Sequence, residues 1–193
     1  QTVAQRYIRG NIFSADLNGA QKAFQALPWI DKAQVRRRLP DVVEIHLTER
    51  EPVARWKAAG LVDANGNIFQ AATTETFPEF DGQPGTAKTM VAHYQEFSGL
   101  LKPAGLSIAK LEYTPRSAWS VVLDNGITVR LGREHENARL QQFAAVWPGI
   151  LRAQQSGLAY VDMRYKDGFA VRERAPSEMP SETAASAADH NQQ

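Results

Sequence analysis

The sequence predicts an α+β protein of two small domains, and three observations carry that prediction. A helix, helix, strand, strand pattern fills roughly the first fifty residues. From Pro52 the pattern changes to short strands closed by glycine turns, and two long amphipathic helices interrupt those strands. The expected limits are 1–51 for the first domain, 52–175 for the second and 176–193 for a disordered tail.

In the first domain, Thr2 to Arg9 and Leu17 to Leu27 read as short helices separated by Gly10-Asn11, the second carrying Ala20, Ala23, Phe24 and Leu27 on one face. Pro28 stops that helix. Alternation follows: Ala33, Val35 and Arg37 oppose Gln34, Arg36 and Arg38, and after Leu39-Pro40-Asp41 the run Val43, Ile45, Leu47 opposes Glu44, His46, Thr48. This is a hairpin with one buried face, and two strands alone make a marginal sheet. The chain opens on Gln1-Thr2-Val3 rather than Met, so a fragment or processed product is expected, with a further strand upstream.

In the second domain, Val53 to Trp56 and Leu61-Val62 are strands, and Asn65-Gly66 turns the chain into Ile68-Phe69. Antiparallel pairing is expected. A helix over about 86–101 places Met90, Val91, Tyr94, Phe97 and Leu101 inward, and Pro103 with Gly105 ends it. Strands resume at Ile108. Trp119, Val121 and Leu123 lead into Asp124-Asn125-Gly126, and Ile127, Val129 and Leu131 lead out, a strong hairpin signal. A second helix over about 134–152 turns Leu140, Phe143, Val146, Trp147 and Leu151 inward. Tyr160 to Lys166, an Asp167-Gly168 turn and Phe169 to Arg172 close the ordered part. From Pro176 onward there is no aromatic or β-branched aliphatic residue, too little apolar side chain to order the segment.

Composition excludes several classes of chemistry. Hydrophobic residues are 43% of 193, enough for a core, and the 22 basic and 21 acidic side chains leave a net charge of +1. That balance argues against a nucleic-acid partner. Arg36-Arg37-Arg38 is the densest basic run, but on a strand its side chains alternate faces, and no stacking aromatics interleave with them. With no cysteine there is no disulfide, thiolate nucleophile or cysteine-ligated metal.

The four histidines, His46, His93, His135 and His190, show neither i, i+4 spacing to one another nor a neighbouring nucleophile. His135-Glu136 begins like a zinc-protease helix, but Arg139 stands where the second His is needed. Gly82 to Thr89 has Ala87 where a phosphate loop requires Gly, and Asp63 to Gly66 lacks the Glu of a calcium loop. Pairs such as Glu49/Glu51 and Glu134/Glu136 read as solvated surface. The sequence therefore predicts no enzyme, no cofactor and no metal. A binding role fits better: the hairpin from Tyr160 to Val171 reads as a sheet edge, whose unpaired backbone groups another chain can complete. An ordinary edge protected by Lys166 and Arg172 is the alternative.

The segments Leu27-Pro28-Trp29-Ile30, Val35-Arg36-Arg37, Leu39-Pro40-Asp41, Pro52 to Trp56, Val62 to Gly66, Leu131-Gly132-Arg133 and Tyr160 to Tyr165 together resemble the bacterial FtsQ/DivIB family of cell-division proteins, over about residues 5–171. The resemblance implies a POTRA domain lacking its first strand, then a β domain with an antiparallel sheet and flanking helices. It implies the periplasmic region of a single-pass inner-membrane protein at the division septum, whose membrane helix lies upstream.

It further implies a non-catalytic scaffold that binds FtsB and FtsL and links earlier division proteins such as FtsK to septal peptidoglycan synthesis. The FtsB site falls on Arg116, Arg164, Tyr165, Lys166, Gly168, Phe169 and Val171, and a recruitment face on Leu17, Lys32, Val35 and Arg37. Leu17 and Val35 fit a core equally well. Enterobacterial members carry an aromatic contact two residues after the position of Val171, where this chain has Arg172-Glu173. The alternative function is a POTRA-containing component of outer-membrane assembly or secretion.

Overall fold

The computed structural model describes residues 15–57, 59–166 and 168–174. The expected helix over 2–9 and the tail from 176 lie outside them. By internal contacts the chain divides into two compact units, Gln1–Ala92 and His93–Gln193.

In the first unit, α1 (Leu17–Gln25) starts at Asp16, whose carboxylate accepts a hydrogen bond from Gly19 N at 2.8 Å and so satisfies one of the free amides of the first turn. Ala20 and Phe24, four residues apart, form its buried stripe. The hairpin of β1 (Ile30–Arg38) and β2 (Val42–Glu49) pairs Ala33 with Leu47 and Val35 with Ile45, as alternation predicts. A bulge between Ile30 and Lys32 resets the alternation, so that Ile30, Ala33 and Val35 all face Ala20 and Phe24. Leu17, Val43 and Ile45 rim this small core.

Four further strands follow: β3 (Pro52–Trp56), β4 (Leu61–Asp63), β5 (Ile68–Phe69) and β6 (Glu79–Asp81), in the order β6-β3-β4-β5. The sequence boundary at Glu51-Pro52 thus falls inside the first unit. Side chains tie its two sides together: Trp29 meets Phe69 edge-on at 5.6 Å, and Arg50 bonds Asp63 at 2.8 Å.

Helix α2 (Ala87–Leu101) buries Met90, Val91, Phe97 and Leu101 of the predicted stripe, while Tyr94 is half-buried. In the second unit β7 (Ile108–Tyr113), β8 (Trp119–Leu123) and β9 (Thr128–Gly132) form an antiparallel meander, α3 (Glu136–Val146) lies against β9, and β10 (Leu158–Asp162) and β11 (Ala170–Glu173) complete the order β11-β10-β9-β8-β7. Leu111, Val121, Leu123, Val129, Leu131 and Val161 are buried, and along β8 and through Leu131 of β9 the buried residues alternate with half-buried ones.

Two details correct the sequence reading. The β3–β6 and β9–β10 pairings are parallel, not antiparallel. Each joins strands separated by a long connection, which for β9 and β10 contains α3, and such crossovers produce parallel neighbours. The second long helix also stops being α-helical at Val146: Trp147–Leu151 forms a π-turn and Arg152–Gly157 a 3-10 stretch. Pro148 has no N–H to continue the ladder, and the helix rewinds around it.

Candidate functional site

Strand β11 stands at the edge of the second unit's sheet, paired on one side to β10 through Val161–Val171 and Asp162–Ala170. At such an edge alternate backbone N–H and C=O groups point outward, ready for another strand. Val171 is 46% exposed and Tyr165, in the connection before β11, is 61% exposed. On β7 to β10, by contrast, no large apolar side chain is exposed. Lys166 is exposed, while Gly168 and Phe169 are half-buried.

The β10–β11 connection has its own anchor. Asp162 is 4% exposed, and its carboxylate accepts hydrogen bonds from Arg164 N at 3.1 Å, Arg164 Nε at 2.8 Å and Arg164 Nη2 at 2.5 Å. The Arg164 guanidinium holds the Asp162 carboxyl below the usual carboxylate range; burial opposes this, and Arg130 adds to it. The same hydrogen bond holds Arg164 more firmly protonated. Met163, fully buried, extends the β9–β10 pairing by donating from N to Arg130 O at 2.9 Å. On the adjoining surface Arg130 lies 4.0 Å over the Tyr160 ring and Arg172 6.0 Å from it, so Tyr160 is clasped between two cations.

Beside this connection lies an open cleft of about 480 Å³ lined by Arg116, Gly132, Arg133, Glu134, Arg139 and Arg164. Arg116 reaches it from the β7–β8 turn, which is closed by Thr114 N donating to Ala118 O and by the Thr114 hydroxyl accepting from Ala118 N. Four guanidinium groups line it against the single Glu134, and one of the four, Arg164, is already bonded to Asp162. The structure therefore brings Arg116 and Arg164, nearly fifty residues apart, to one cleft, with Tyr165 next in sequence.

The face expected on the first hairpin is less continuous. Val35 is 8% exposed and belongs to the core, and Leu17 packs at its rim, so neither presents a side chain for recruitment. Lys32 and Arg37 are exposed but fall on opposite sides of β1, because strand alternation puts Arg37 in phase with Ala33 and Val35 and Lys32 out of phase with them. Arg37 also donates to Ala15 O at 3.0 Å.

Sequence reasoning missed Asp162, although an Asp two residues before an Arg on a strand places both on one face. It also missed Arg50 and Asp63, reading the latter only as part of a turn, and it read Arg139 only as the residue that spoils a zinc motif. Glu136 of that motif meets His93, Oε1 to Nε2 at 3.4 Å, and the His93 ring stacks on Trp119 at 4.3 Å. Among the described residues no three His, Cys, Asp or Glu are placed to hold a metal, and no helix is long and apolar enough to cross a membrane.

A family model described as "Cell division protein FtsQ/DivIB, C-terminal" matches residues 54–164, and one described as "POTRA domain, FtsQ-type" matches residues 1–50. The chain is 53% identical over 180 residues to the cell division protein FtsQ of Neisseria gonorrhoeae, covering 93% of this chain and 74% of that protein. Its identity to the FtsQ of Neisseria meningitidis serogroup B is 54% over 172 residues, covering 89% and 73%. The FtsQ of Burkholderia pseudomallei is 37% identical over 172 residues, covering 86% and 69%.

Proposed function

The chain belongs to the FtsQ/DivIB family of cell-division proteins, a family of non-catalytic scaffolds, and from that premise we propose that it binds FtsB, within the FtsB–FtsL pair, by strand addition at β11. The observation that carries this reading is the β11 edge, unpaired on its outer side among the described residues, with Val171 exposed on it and Tyr165 exposed in the connection before it. Backbone pairing would supply register, Tyr165 a rigid amphipathic anchor, and the arginine cleft at Arg116 and Arg164 a seat for an acidic side chain of the partner. Gly168 leaves space for close backbone approach: a Cβ there would meet nothing within 4 Å. Phe169 and Lys166 flank the contact.

In this reading Arg164 acts while still bonded to Asp162, its exposed side presented to the cleft. Residues 1–51 form the POTRA domain and 52–175 the β domain, in the periplasm below an upstream membrane helix. Lys32 and Arg37 contribute to recruitment by earlier division proteins such as FtsK. The family matches run from a POTRA type into the FtsQ/DivIB C-terminal type, which favours septal division over outer-membrane assembly or secretion.

The test is calorimetric titration with the periplasmic segment of FtsB from the same organism. Tyr165→Ala is expected to weaken binding by at least ~10-fold, the scale of an aromatic anchor, with an unchanged thermal transition. Equal affinity of variant and wild type would overturn the assignment.

A further inference from the structure

We infer that Arg139 is the positioning residue of the β11 edge, a fork from α3 that holds the end of β9 and the start of the β10–β11 connection in one arrangement before a partner arrives. The inference rests on the reading of that edge as a docking site. Its first support is geometric. Arg139 Nη1 donates to Leu131 O at 2.5 Å and Nη2 to Arg164 O at 3.4 Å.

Those two carbonyls lie where the parallel β9–β10 ladder ends, past the Met163 N to Arg130 O bond. A backbone carbonyl beyond a ladder needs another donor, and a planar guanidinium offers two in one fixed plane. Lysine, with its donors on a single nitrogen, cannot hold two separated carbonyls in that plane.

A second support is the room left for the fork. Gly132 has φ +83°, and a Cβ there would come within 3.0 Å of Arg139 Nη1 and 3.2 Å of Arg164 Cγ. A side chain there would crowd both arginines at the end of β9, and the backbone angle is one that residues other than glycine rarely adopt. The third support is charge. Arg139 shares its cleft with Arg116, Arg133 and Arg164, so its position is electrostatically unfavourable unless its hydrogen bonds do something there. They go to main-chain carbonyls on two segments, which marks it as a clamp and not a partner contact. With the clamp in place Arg164 O is fixed and Tyr165 follows from a set backbone. Without it, the partner would bind a fraction of an ensemble, and apparent affinity falls by that fraction.

The test uses the whole chain with Arg139→Gln and Arg139→Lys, read by amide exchange and by titration with the FtsB periplasmic segment. Arg139→Gln should speed exchange over residues 164–169 while leaving β7 and β8 protected, and should weaken binding roughly 5-fold to 10-fold. Arg139→Lys, which keeps charge and stem, should behave like Arg139→Gln and not like wild type.

Because clamp and anchor act through one segment, the loss in an Arg139→Gln/Tyr165→Ala double variant should be smaller than the product of the single losses. Wild-type exchange over 164–169 in Arg139→Gln, recovery of affinity by Lys, or losses that multiply independently would each overturn the inference. If the wild type itself does not bind FtsB, the docking reading fails, and the exchange result still decides the clamp. Should Arg139→Gln fail to fold, Arg139→Lys carries the same comparison.

Discussion

Asp63 and Asp162 are buried at 3% and 4% exposure, and each accepts hydrogen bonds from an arginine, yet the two arginines live in different surroundings. The Arg50 side chain is 20% exposed, that of Arg164 56%. Arg50 donates Nη1 to Asp63 at 2.8 Å and Nε to Ile30 O at 3.3 Å, and its guanidinium lies 5.5 Å over Phe69. These contacts lie inside the first unit and tie the hairpin of β1 and β2 to the β4–β5 turn. Arg164 bonds a residue only two positions away, which fixes its own turn and leaves a face of the guanidinium in the cleft. One ion pair closes inward to join distant segments; the other is built locally and turned outward, where a ligand can share it.

The difference can be broken most sharply at Asp63. Asp63→Ala leaves Arg50 with only Asp31 at 4.0 Å and should cost about 2–3 kcal/mol, the low end of the scale for removing one partner of a buried pair, seen as a lowered midpoint in denaturant unfolding. Asp162→Ala should cost less, about 1–2 kcal/mol, since Arg164 can turn to water, yet it should weaken FtsB binding more than Asp63→Ala does. A larger stability loss for Asp162→Ala than for Asp63→Ala would remove the contrast.

Acid sharpens it further. Burial pushes the Asp63 carboxyl up, but hydrogen bonds from the Asn67 side chain, the Asn67 and Asn65 amides and Arg50 together outweigh burial and hold it below its ordinary value of 3.8. A carboxyl whose folded value lies below its unfolded one binds fewer protons in the native state. Its stabilisation is therefore whole above about pH 4 and is lost as pH falls through the lowered folded value. The slope of stability against pH below about 4 should be visibly smaller in Asp63→Asn than in wild type, measured by denaturant unfolding at a series of pH values. An identical slope would contradict the assignment. At the small end stands the hairpin surface: Arg38 and Glu44 meet at 2.9 Å with side chains 72% and 35% exposed, and Arg38→Ala should change stability by less than ~0.5 kcal/mol.

The elements that the sequence made legible are those defined by neighbours in the chain. The β8–β9 turn is one: Asn125 Oδ1 accepts from Ile127 N at 3.1 Å and Gly126 takes φ +81°, the job for which Asn-Gly is chosen. The alternation of Ala33 and Val35 was readable for the same reason. What was hidden depended on residues far apart. Nothing near Thr128 announces that β10 will lie parallel to it, and nothing near Arg139 says that its two acceptors are Leu131 and Arg164. Asp162 passed as one polar residue in an alternating run because its value comes from burial, which a strand pattern assigns only by face. Val35 shows the converse: its period placed it inward, and the core placement follows from that alone.

The parallel pairing of β9 with β10 also orders events in time. β7, β8 and β9 are joined by short turns and can pair as soon as they leave the synthetic or export machinery. Strand β10 must first wait for α3 and the turns after it, and only then can β11 dock on β10. The proposed docking edge is thus the last part of its unit to pair, so a chain cut short after β9 would keep the meander's strands and lack that edge.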